Sequence, residues 1–133
     1  MMENYENEPA LLSTIAELAR LDDIQDGWLD GEGVGLASRD TSWVRGAILG
    51  IVSRSTLGIP GLFPTPEGNI QAEWVDEGRD LDVTVLFDLD RHRVRLELLH
   101  PDSGVAADDL EFQPQQLDAL LSAIEAARRG GAA

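Results

Sequence analysis

Apolar residues recur along this chain with a period that starts helical, turns to strict alternation in the middle, and becomes helical again at the end. Leu11, Leu12, Ile15, Leu18 and Ala19 follow a helical stripe, with Asn7 suited to cap its start and Pro9 placed in its first turn. Four glycines among the ten residues Asp26–Gly35 then predict a loop. Ser38 or Asp40 is suited to open a second helix, whose core stripe is Val44, Ala47, Ile48, Ile51 and Val52. Gly46 and Gly50 weaken that helix unless close packing compensates. Gly58 and Pro60 end it.

From Leu62 the pattern is strand-like. Ile70, Ala72 and Trp74 alternate with Gln71 and Glu73, and Leu81, Val83, Val85, Phe87 and Leu89 alternate with Asp82, Thr84, Leu86 and Asp88. Val94, Leu96 and Leu98 repeat the pattern after a turn at Asp90-Arg91-His92, and Asp76-Glu77-Gly78 marks another turn. Pro101–Asp109 reads as a polar connection and Leu110–Phe112 as a short edge strand. Pro114 opens a final helix with Leu117, Leu120, Leu121 and Ile124 on one face, Arg128 and Arg129 in the last turn, and Gly130 as its stop. The expected architecture is α+β: two N-terminal helices, a three- to four-stranded antiparallel meander with one buried face, and a C-terminal helix. At 133 residues the chain has the length of one domain, spanning 1–133.

Charge changes this picture more than composition does. The chain has 25 Asp and Glu against 10 basic residues, for a net charge of −15, and all the basic residues are Arg. Direct binding of DNA or RNA through a broadly basic surface is excluded, as is attraction to an anionic membrane. Residues 1–37 carry nine acids against Arg20 alone, and residues 76–113 carry eleven against four Arg, while the rest of the chain balances. With no cysteine there is no disulfide, thiol nucleophile or zinc-thiolate site. No apolar run is long enough to span a bilayer and the acidic start is unlike a signal peptide, so a cytoplasmic location is expected.

The search for chemistry gives mostly negative readings. Counting a calcium loop from Asp26, Asp30 and Gly31 fall at positions five and six, but Trp28 and Ala37 occupy ligand positions. Gly31–Gly35 lacks the Lys-Ser/Thr of a phosphate loop and holds Glu32 at its centre. His92 and His100 are eight residues apart and form no helical metal pair, and no serine stands in a nucleophile elbow. The expectation is a non-enzyme with no cofactor and no metal, its loop pinned by Trp28 inserting into the core. Trp74 closes an apolar strand face and reads as core, whereas Trp28 and Trp43 are candidate interface anchors.

Two segments, Asp26-Gly27-Trp28-Leu29-Asp30-Gly31-Glu32-Gly33 and Pro64-Thr65-Pro66-Glu67-Gly68 running into the strand that ends Glu73-Trp74, resemble a scattered, uncharacterised family of small bacterial proteins. The family form has Trp directly followed by Asp-Gly, which Leu29 interrupts here, and the resemblance implies no activity. In kind only, small size, strong acidity and absent catalytic motifs resemble phage-encoded inhibitors such as anti-CRISPR proteins and small antitoxins.

The functional expectation is a non-catalytic inhibitor or regulator that covers the positive surface of a nucleic-acid-handling protein, as an acidic mimic of nucleic acid. The candidate contact residues are Asp22, Asp23, Asp26, Trp28, Asp30 and Glu32 on one acidic edge and Asp82, Asp88 and Asp90 on another. The competing readings are a homo-oligomeric domain, a homodimer for example, whose acidity is solubilising, and a metal-dependent enzyme built on the Asp26–Glu32 loop.

Overall fold

A computed structural model describes residues 2–100 and 105–131. Helix α1 spans Met2–Asp22, α2 Ser42–Arg54 and α3 Leu117–Gly131, and between them run strands β1 (Gly61–Pro64), β2 (Ile70–Asp76), β3 (Leu81–Asp88), β4 (Arg93–His100) and β5 (Val105–Phe112). The strands form one antiparallel sheet in sequence order, β1-β2-β3-β4-β5. The α+β order therefore holds, with five strands in place of three or four.

The added strands lie where local signals were weak. Leu62 and Phe63 sit in β1, a four-residue strand ending in Pro64. β5 begins at Val105, so Val105–Asp109 is strand and not the polar connection that its charge suggested. Acidic residues are tolerated there because β5 is an edge with an open face. Pro101–Gly104, the remainder of that expected connection, lies outside the described residues. The helix boundaries moved as well. α1 starts at Met2 and carries Pro9 inside it, α2 starts at Ser42, and α3 starts at Leu117 after a turn that includes Pro114.

One face of the sheet is the core. Ala72, Trp74, Val83, Val85, Phe87, Leu96 and Leu98 are buried and meet Val44, Ile48, Ile51 and Val52 of α2, Leu120 and Ile124 of α3, and Leu18 and Leu21 of α1 in one apolar cluster. Burying these side chains contributes on the order of 1.5–3 kcal/mol each before ordering costs are set against it. Trp74 is core as its alternation predicts, and its Nε1 donates to the Gly58 carbonyl at 3.0 Å. Gly50 is where α2 meets α3: a Cβ there would stand 2.6 Å from Leu117 Cδ2. The far end of α3 is fixed by Arg128, whose side chain is 9% exposed and donates to Asp76 at 2.9 Å and to Thr56 Oγ1 at 2.7 Å. No helix among the described residues is long and apolar enough to cross a membrane.

Candidate protein-binding surface

All the core-facing sheet residues and all three helices lie on one side, which leaves the other side of the sheet without a covering helix among the described residues. Alternation and register fix what it displays. One row across the strands reads Phe63, Gln71, Leu86, Arg95, Glu111, and the next reads Gly61, Glu73, Thr84, Glu97, Asp109. Val75, Asp82 and Leu99 form a third row, and Asp88 stands opposite Arg93. Phe63 is 48% and Val75 64% exposed. The face thus mixes Glu73, Asp82, Asp88, Glu97, Asp109 and Glu111 with Arg93 and Arg95 and a few apolar side chains. Leu86 and Leu99, which alternation puts on this side, are half-buried.

The charges on this face are unevenly engaged. Arg95 donates to Asp109 at 2.7 Å, and that carboxylate raises the guanidinium pKa above its already high ordinary value. Gln71 donates to Glu73 at 2.6 Å. Asp88 accepts the backbone N–H groups of Asp90 and Arg91, so it is the cap of the β3–β4 turn. Asp82, Glu97 and Glu111 make no hydrogen bond or ion pair among the described residues. A shallow hollow of about 340 Å³ opens beside Leu86, Arg93, Arg95 and Glu111. It is open to solvent and brings no nucleophile–base pair together, and among the described residues no three of His, Asp and Glu converge as ligands for a metal.

The acidic edge Asp82, Asp88 and Asp90 is spread along β3 and the turn that follows it. Asp82 and Asp88 are six residues apart on β3, about 20 Å, with Thr84 and Leu86 between them. Asp90 lies in the turn and pairs with Arg39. Carboxylates instead line up across the strands, at Glu73, Glu97 and Asp109, because antiparallel register places every second residue of neighbouring strands side by side. Alternation was visible in the sequence; the register that creates this lateral row was not.

The amino-terminal cluster has a different construction. Asp22 accepts from Thr41 Oγ1 at 2.6 Å and pairs with Arg45 of α2. Asp26 accepts the Gly35 backbone N–H at 2.7 Å, closing the loop at its neck, where Leu36 and Ala37 both donate to the Ile24 carbonyl. Gly35 is required there, since a Cβ would fall 2.4–2.6 Å from backbone atoms of residues 24–26. Asp30 and Gly31 both have positive φ (50° and 91°) and sit between Leu29 and Glu32, which exchange backbone hydrogen bonds. This is the backbone of a type I′ turn, and the Asp-Gly pair is its signature. Trp28 does not insert into the core: it is half-buried, lies over Gly33 and donates from Nε1 to the Val34 carbonyl at 3.1 Å. The glycines around it let the chain wrap the indole locally, so the ring is used within the loop. Asp23, Asp30 and Glu32 point outward as exposed residues. Trp43 is half-buried too, edge-on to Phe87 and 4.6 Å between centroids from His92.

No family model, no curated protein and no solved structure matches this chain.

Proposed function

We propose that this chain is a non-catalytic protein that binds and regulates a basic, nucleic-acid-handling partner, covering the partner's positive surface with the open face of its sheet. The observation that carries this reading is the uncovered face itself. A five-stranded sheet ordinarily hides one side and solvates the other, but here the solvated side sets exposed Phe63 and Val75 alongside carboxylates at Asp82, Glu97 and Glu111 that make no hydrogen bond or ion pair among the described residues. Apolar contacts rimmed by acids suit a partner surface rich in Arg and Lys. Support for this surface over the amino-terminal cluster comes from Asp22 and Asp26, which already have partners inside the chain.

The test is capture from host lysate on the immobilised chain with stepwise salt elution, comparing the wild type with two triple reversals. Glu73→Arg/Glu97→Arg/Glu111→Arg should lose a captured nucleic-acid-binding protein that the wild type releases between about 50 and 300 mM salt. Asp23→Arg/Asp30→Arg/Glu32→Arg should retain it, and added nucleic acid should displace it from the wild type. Retention by both variants would show that the acidity only solubilises the chain.

A further inference from the structure

The two edges of the sheet are treated differently by the sequence. β1 is four residues long and bounded by Pro60 and Pro64, whose nitrogens carry no hydrogen to offer another strand. β5 is eight residues long, contains no proline, and among the described residues is hydrogen-bonded to β4 alone, with a register shift between Leu98 and His100. Its other side presents outward N–H and C=O groups from alternate residues. Register fixes the side chains next to that row. Asp109 and Glu111, opposite Glu97 and Arg95, stand on the open face. Leu110 and Phe112, opposite Leu96 and Val94, stand on the core side, where Leu110 is 39% exposed.

We infer that the free edge of β5 takes up an extended segment of the partner, in which basic side chains alternate with apolar ones, as an added strand of the sheet. Backbone hydrogen bonds supply the attachment. Basic side chains on the incoming strand lie beside Asp109 and Glu111, and apolar ones lie beside Leu110 and Phe112. A second copy of this chain fits worse in the antiparallel register centred on Leu110, which sets Asp109 of each copy against Glu111 of the other. The inference rests on the reading that the partner surface is basic, and it names the part of the partner that docks first.

The experiment titrates the full chain with a short peptide alternating Arg and Val, and with the same peptide N-methylated at alternate residues. The two have equal charge, but the second lacks the donors for strand pairing. The unmethylated peptide should bind at least about tenfold more tightly and slow hydrogen exchange across Val105–Phe112. Asp109→Pro and Leu110→Pro add a parity test, since successive N–H groups point to opposite edges of a strand. One variant loses a bond to β4 and melts lower; the other keeps a near wild-type melt and should lose the peptide. Equal affinity for the two peptides, or full binding by the stably folded proline variant, overturns the inference. Partner capture by that same variant, alongside loss in the Glu73/Glu97/Glu111 reversal, would retain the open-face reading and discard the edge.

Discussion

The acidic segment between α1 and α2 and the acidic face of the sheet carry nearly the same surplus of negative charge, yet they divide it differently between fastening and display. Before α2, two carboxylates are structural fasteners while Asp23, Asp30 and Glu32 face solvent: Asp22 joins α1 to α2 through Thr41 and Arg45, and Asp26 closes a loop through Gly35. On the sheet, Asp82, Glu97 and Glu111 are held at fixed positions by strand register and fasten nothing. Charge density along a sequence therefore says little about which carboxylates are displayed. A loop can fold back on its own acids, whereas a strand has no freedom to retract a side chain from its face.

The largest effect should separate two adjacent residues of β3. Val85 is fully buried and Leu86 lies on the open face. Val85→Asp leaves a carboxylate without a partner in the core and should abolish cooperative folding, at a cost of several kcal/mol, about 4 or more. Leu86→Asp should cost no more than about 1 kcal/mol in urea melts. A cooperative melt for Val85→Asp would put the core on the wrong side of the sheet.

Next comes the neck of the loop. Gly35→Ala forces a Cβ into the backbone of residues 24–26 and should lower stability by about 2–3 kcal/mol. Gly31→Ala, where a Cβ meets nothing within 4 Å but φ is 91°, should lose only about 1 kcal/mol. Equal losses would mean that the neck is not what holds the loop.

A smaller contrast sets one carboxylate of each region side by side. Asp22→Asn weakens its bonds to Thr41 and Arg45 and should cost about 1 kcal/mol, discounted for partial exposure. Asp82→Asn removes a charge with no partner and should leave stability within about 0.5 kcal/mol, or raise it slightly by relieving repulsion. Chemical denaturation of both variants at low and high salt distinguishes fastener from display: only the Asp22 cost is tied to a specific partner.

The smallest effect concerns pH. Asp40 accepts from the hydroxyl and the backbone N–H of Ser42 at the entrance to α2, and these bonds lower its pKa from the ordinary 3.8. A depressed folded-state pKa contributes stability that is present above 3.8 and is lost as pH falls through the folded value. The melting-temperature gap between wild type and Asp40→Asn should therefore be constant near neutrality and close in acid. A gap that persists unchanged to about pH 2 would assign the effect to something other than this carboxylate.

Much of the fold was legible because its signals are local. The alternation of Val83, Val85 and Phe87 and the stripe of Val44, Ile48 and Ile51 name their own buried faces, and all are buried. Less legible were features set by pairing. The strand character of Val105–Asp109 comes from its register with β4, since its composition alone reads as polar loop. Trp28 misled for a related reason: a large apolar ring suggests the core, but four nearby glycines let the loop wrap it on the spot. Asp30-Gly31 carried a turn signature that its glycine-rich surroundings masked. For the candidate surface, individual acids could be named from sequence, but the lateral row Glu73, Glu97, Asp109 needed the register.

The strict neighbour-to-neighbour order of the sheet also sets how the chain finds its structure. Every strand pairs with the next one along the sequence, so each ladder closes a short loop and little chain entropy is lost before contacts reward it. The meander can therefore zip progressively from any of its turns. The longest closures come from α3, which returns across the sheet to set Leu117 against Gly50 and Arg128 against Thr56 and Asp76. Docking of that last helix closes the greatest separations in sequence, up to that between Thr56 and Arg128, and so carries the largest loop-closure cost in the fold.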